Sequence, residues 1–118
     1  MLQLLSWLIL AAIHALPALA LFQPSIIERL YGVASHDTAF LLLQHRAALF
    51  LVVVILAVWA AFDPGIRRAA SVCVGGSMIS FLVLYWGAGA PPSLKSIAIV
   101  DLAGIPFLAF VAWKSFSA

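Results

Sequence analysis

Residues 40–62 read FLLLQHRAALFLVVVILAVWAAF, and every position except Gln44, His45 and Arg46 is apolar. A hydrocarbon core about 30 Å thick is crossed by about 20 such residues in a helix, so this run is long enough to span a bilayer. Its three polar residues are the informative exception. A cation at mid-helix in lipid costs roughly 2.5–3.5 kcal/mol even on the lenient insertion scale, so Arg46 is tolerable only where something inside a bundle answers it. The stretch predicts a membrane helix with a polar site beside it.

The whole chain has the same character. Of its 118 residues, 66% are hydrophobic and 8% are charged, with a mean hydropathy of +1.21. These values belong to an integral membrane protein. A formal charge of +2 from six scattered basic residues cannot build the positive stripe of a nucleic-acid binder, so nucleic acid is excluded as a partner. The single cysteine, Cys73, lies in an apolar run and reads as a small packing residue, with neither a disulfide nor a Cys-rich metal site available to it.

Outward from residues 40–62, turn signals separate three further apolar segments. The expected spans are 2–22, 38–62, 69–87 and 95–114, broken at Gln23-Pro24-Ser25, at Asp63-Pro64-Gly65 and from Gly87 to Pro92. The fold expected is all-α: a four-helix transmembrane bundle with short loops, forming a single transmembrane domain over residues 1–118. The first segment carries a signal-like Ala18-Leu19-Ala20, but no positive n-region precedes it, so it reads as a retained membrane helix. Ile26 to Tyr31 is expected to form a short interfacial helix, capped by Ser25 and stopped by Gly32. Ser35-His36-Asp37 supplies N-cap candidates for the second span. His36 and Asp37 read as loop and cap residues, and Asp63 as a turn residue.

With four spans, Arg67, Arg68, Lys114 and the amino terminus fall on one side, and Arg29 and Lys95 on the other. The positive-inside rule then places both termini in the cytoplasm, in a bacterial inner membrane. Trp7, Trp59 and Trp113 would form an inner aromatic belt, and Tyr31, Tyr85 and Trp86 an outer one. Arg67 and Arg68 would face anionic headgroups.

A helix rises about 1.5 Å per residue, which converts position to depth. His14 lies roughly 12 Å below Phe22, His45 roughly 10 Å below Thr38, and Ser80 and Asp101 each roughly 9 Å from the outer ends of their spans. Each span thus brings a polar group to one layer: His14, His45, Arg46, Ser80 and Asp101. Gln44, His45 and Arg46 point about 100° apart from one another, so at most two of them face inward. Asp101 is the only acid at matching depth, and an Arg46–Asp101 ion pair is expected. Ala69, Cys73, Gly76, Ser77, Ser80, Leu84 and Gly87 share about 80° of arc on the third span, a mostly small-residue stripe suited to close helix packing. That stripe equally offers a face for a homo-oligomer or a larger membrane complex. Asp101 shares its stripe with Ile97, Gly104, Ile105 and Leu108. Pro17 releases the Ile13 carbonyl near His14, and Pro106 that of Leu102 beside Asp101.

Several chemistries fit such a layer. A small amphipathic ligand, a lipid or quinone headgroup, would find an apolar shell with a few convergent polar groups. His14 and His45 could carry protons in a transport protein, or act as axial ligands to haem b in a redox subunit. With Asp101 they could also supply three ligands to zinc or copper. The layer could instead be structural, the ion pair fixing which helix packs on which. Catalytic templates are lacking: there is no phosphate-binding glycine loop, no nucleophile elbow and no zinc-protease helix. Ser80, a histidine and Asp101 have no oxyanion hole to make them a triad.

With these residues in view, the chain resembles a group of small bacterial four-helix inner-membrane proteins of uncharacterised function, DoxX-like in outline. The likeness covers nearly the whole chain. It rests on Ile13-His14-Ala15-Leu16-Pro17, Leu30-Tyr31-Gly32, Leu43-Gln44-His45-Arg46-Ala47-Ala48-Leu49-Phe50, Ser80-Phe81-Leu82 and Val100-Asp101-Leu102. The chain departs at Gln44, where the group's pattern has arginine, which lowers the positive character of the layer. Some members carry a name implying phosphopantetheine adenylyl transfer. That activity belongs to a soluble α/β fold with a His-x-Gly-His motif, which this chain lacks. The resemblance implies the four-helix fold and a shared polar layer, and no reaction.

Overall fold

Apolar runs of this length satisfy their backbone polar groups in lipid only by becoming helical. In the computed structural model, which describes residues 1–117, they do so as α1 (Leu2–Leu19), α3 (Thr38–Phe62), α4 (Arg67–Gly87) and α5 (Lys95–Phe116), with a short α2 (Ser25–Tyr31) between the first two. All four long helices are long and apolar enough to cross a membrane. The protein is an all-α four-helix bundle of the multi-pass membrane type.

The ends show local chemistry at work. Gly32 closes α2 in the left-handed region at φ 67°, where only glycine is unstrained. Asp37 caps α3, its carboxylate accepting from the Ala39 N–H at 3.0 Å. Ser25 is already the first residue of α2, whose cap is Pro24 with no side-chain bond, so the expected serine cap is not formed. α1 stops at Leu19 rather than residue 22, because the chain tightens into a turn after Pro17, with Leu21 and Phe22 amides donating to Ala18 and Leu19 carbonyls.

α1 is the central helix, packing on α3 along one side and on α5 along another, while α4 packs chiefly on α5. Around the bundle the order is α3, α1, α5, α4, and the ring is loosest between α3 and α4. The main core lies toward the end carrying the chain termini. There Trp7, Leu10 and Ala11 meet Val53, Ala57, Ala60 and Ala61 of α3, Ala70, Val74 and Met78 of α4, and Leu108 and Val111 of α5. Small residues on α3 let the α1 backbone approach closely. Gly104 performs the same service on α5, since a Cβ there would come within 2.8 Å of both Ile13 Cδ1 and Met78 Cε.

Toward the α2 end the core divides into two clusters. Ala20, Ile26, Ile27, Phe40 and Ala47 form one; Leu82, Tyr85 and Ala98 form the other. The bundle is closed at its terminal end and splayed at its α2 end.

Three outward-facing assignments are corrected by this packing. Trp7 is fully buried and belongs to the core rather than to an aromatic belt. Tyr85 is also buried and Tyr31 half-buried, whereas Trp59, Trp113 and Trp86 are exposed as belt residues would be. Arg67 does not reach for headgroups. Its Nε donates to the Ala60 carbonyl at 2.7 Å, its Nη2 to the Ala61 carbonyl at 3.0 Å and its Nη1 to Gln3 Oε1. It therefore satisfies the open carbonyls at the end of α3 and ties that end to α1. Arg68 is exposed and donates to the Ser115 carbonyl at 2.9 Å.

The small-residue stripe of α4 is corrected as well. Ala69, Cys73, Gly76, Ser80, Leu84 and Gly87 are exposed and Ser77 half-buried, while the buried face runs through Ala70, Ser71, Val74, Gly75, Met78, Leu82 and Tyr85. The separation between α4 and its neighbours is filled by Val74, Met78 and Leu82, so the larger side chains take the inside and the small ones line the open side.

Candidate functional site

His14 continues the buried stripe of α1 that runs through Trp7, Leu10 and Ala11, so the same spacing that builds the core carries an imidazole into its upper edge. Its Nδ1 lies 2.8 Å from the Leu10 carbonyl. A carbonyl only accepts, so Nδ1 carries the proton and Nε2 of the neutral ring presents a lone pair. That Nε2 is buried and has no partner. Asp101 sits on the buried stripe of α5 between Ile97 and Gly104. Its side chain is 6% exposed, and among the described residues no group donates a hydrogen bond to its carboxyl.

Both line one cavity of about 240 Å³ between α1 and α5, roofed by Leu30 of α2 and walled by Phe50 of α3, with Pro17 and Ser96 also on its surface. Splaying of the bundle at this end makes the space, and the His14 and Asp101 side chains are its principal polar features.

Arg46 lines a separate cleft that Phe50 also borders. It is half-buried, its Nε donating to the Tyr31 hydroxyl at 3.2 Å. The guanidinium carbon stands 4.6 Å from the Phe50 ring centroid, 5.0 Å from Phe81 and 5.9 Å from Tyr31. These aromatic faces offset part of the charge. The expected Arg46–Asp101 ion pair is not formed: no cation and carboxylate approach within 4.0 Å among the described residues. Phe50 lies close to His14 and to Arg46, its ring centroid 5.6 Å from that of His14 and 4.6 Å from the Arg46 guanidinium carbon.

His45 and Ser80 stay out of the cavity that holds His14 and Asp101. His45 is exposed on α3, because Ala47, Phe50 and Val53 take the inward face and a neighbouring residue is turned about 100° away. The axial pair of imidazoles for haem, and the His14, His45 and Asp101 metal set, therefore do not assemble; no three metal-ligating side chains converge among the described residues. A proton relay from His14 to His45 is interrupted for the same reason. Ser80 is exposed, its hydroxyl donating to the Ser77 carbonyl at 3.1 Å, and it lines a second cleft shared with Arg46. His45→Leu and Ser80→Ala are each expected to change stability by under about 0.5 kcal/mol, measured by denaturant titration in detergent, since neither removes a buried contact.

The layer inferred from depth is thus two spaces that share Phe50 in their walls, His14 and Asp101 lining one and Arg46 and Ser80 the other. Sequence reasoning missed Tyr31 and Phe50. Phe50 was accessible as the residue one helical turn from Arg46 and in register with buried Ala47 and Val53; Tyr31 was read only as a belt residue at the end of the interfacial helix, because its partner on α3 depends on how α2 packs. The chain matches no family model, and comparison with curated proteins and with solved structures finds no match.

Proposed function

We propose that the protein is a membrane-embedded binding protein whose ligand is a small amphiphile with a hydroxyl-bearing head, of the lipid or quinol kind, held in the α1/α5 cavity. One observation carries this reading: His14 has one nitrogen fixed on its own helix and the other buried without a partner. A buried polar atom left unpaired costs about 1–3 kcal/mol. Asp101 beside the same cavity adds a second acceptor. Two acceptors in an apolar shell complement a donor, and a hydroxyl is the donor that an amphiphile can bring without burying another charge. The basic residues favour both termini in the cytoplasm of a bacterial inner membrane, which puts the cavity in the outer leaflet.

The test is a thermal-shift series on protein in mild detergent. The probes are a short-chain quinol, a monoacylglycerol and the O-methylated form of each. Hydroxyl probes are expected to raise the melting temperature of the wild type and the capped forms to leave it unchanged. His14→Phe, which keeps a ring in place, and Asp101→Leu, which removes the acceptor, are each expected to weaken binding about tenfold, the loss of one hydrogen bond of about 1.4 kcal/mol. Equal shifts from capped and uncapped probes would refute the reading.

A further inference from the structure

α3 and α4 are joined by a tight turn at Pro64–Ile66, yet they diverge from it and leave a cleft of about 390 Å³ along the side of the bundle. Its polar groups are Arg46 and Ser80 at the α2 end and Ser77 further down; below them the walls are apolar through Val53 and Leu56. We propose that this cleft binds the anion of a single-chain amphiphile, a fatty acid carboxylate, with its head on Arg46 and its chain running toward Leu56 and Cys73.

Charge is the first argument. Arg46 stands within a membrane span with no carboxylate in contact, and of its donors only Nε has a partner among the described residues. Its Nη2 is buried and unpaired. Three aromatic rings surround the guanidinium, but ring faces cannot accept the in-plane hydrogen bonds that a carboxylate takes from the guanidinium fork.

Shape is the second. Leu56 lies ten residues beyond Arg46, about 15 Å along the helix, the reach of a medium-length acyl chain. The volume is at the lower end of ligand pockets, about 300–1,000 Å³, which suits one chain rather than two. Exposed Val52 and Leu84 border the cleft, so a ligand can enter sideways from the bilayer.

A second copy of the chain does not answer Arg46. Of the four acidic residues, Glu28, Asp37 and Asp63 lie outside the long helices and Asp101 faces the other cavity, so no acid is available at the depth of Arg46 from a neighbouring protomer.

The experiment uses the full chain in phosphatidylcholine nanodiscs. The probe is dodecanoic acid carrying a diazirine at the chain end, with the matching dodecanol and a diazirine-bearing diacyl phosphatidylglycerol as comparisons. Mass-spectrometric mapping is expected to place saturable acid cross-links on residues 52–56 and 73–77, at least tenfold above the alcohol. Arg46→Gln should lower them at least tenfold, and Arg46→Lys should retain part of the signal. Val52→Trp fills the lipid side of the cleft with Arg46 intact and should block labelling even where Arg46→Gln does not fold. His14→Phe should leave the labelling unchanged, separating this site from the α1/α5 cavity. The proposal is overturned by equal labelling with acid and alcohol, by labels spread over the exposed faces of all helices, by preferred labelling with the diacyl lipid, or by a dimer that excludes the probe.

Discussion

Trp7→Ala is expected to destabilise the bundle by about 3 kcal/mol, the low end of the range for removing a large aromatic from a core. Trp7 has no exposed surface and lies at the centre of the cluster where all four long helices meet. In lipid the separated helices keep their apolar side chains in an apolar medium, so the transfer contribution fades; what is lost is packing, and a cavity is left. Trp7→Phe should cost far less, about 1.5 kcal/mol or below, because the indole Nε1 has no hydrogen-bond partner to lose. Unfolding of detergent-solubilised protein by sodium dodecyl sulfate, followed by circular dichroism, measures both. Equal losses would mean that the indole N–H holds a partner, and that the core is organised around a polar contact rather than around volume.

Arg67→Met is expected to cost about 2–4 kcal/mol, since hydrogen bonds from a charged donor contribute about 1.5–3 kcal/mol each and part of the loss is recovered by water at the membrane surface. Three such bonds converge on the last turn of α3 and on Gln3. Arg68→Met, one residue away and exposed, removes a single bond to the Ser115 carbonyl and should cost under about 1 kcal/mol. The same unfolding titration reads the difference. Hydrogen exchange at Ala60 to Phe62 should rise in Arg67→Met and not in Arg68→Met; a matched response from the two variants would show that both arginines act only through surface charge.

The contrast between these neighbouring arginines shows where sequence reading ends. Both sit beside the turn between α3 and α4, and the sequence assigns both the same expected role at the membrane face. The turn at Pro64–Ile66 brings the Ala60 and Ala61 carbonyls within reach of Arg67, while Arg68, one residue on, reaches the Ser115 carbonyl of α5 instead. Asp101 illustrates the opposite case: its stripe with Ile97, Gly104, Ile105 and Leu108 was legible, and the structure buries that stripe apart from Ile105, which is half-buried. On α4 the stripe chosen for its small residues proved to be the exposed one. Small residues permit close approach but do not require it, and Val74, Met78 and Leu82 offered the stronger packing.

The candidate site divides along the same line. Depth is additive along a helix, so His14, His45, Arg46, Ser80 and Asp101 were assigned to one level by counting. Direction is not additive in that way. An angular step of about 100° per residue sends His45 to the lipid while Arg46 turns partly inward, and Phe50 lines both the space that holds His14 and Asp101 and the one that holds Arg46.

Hydropathy, a property of each segment alone, determined that this chain is all-α, that four segments belong in a bilayer and where the turns between them fall. Which helix touches which, that α3 and α4 stand apart, and that Arg46 faces aromatic rings instead of Asp101 were decided only by tertiary packing. Partition into lipid depends on one segment and its solvent, whereas a contact depends on two surfaces competing with every other pairing available to them.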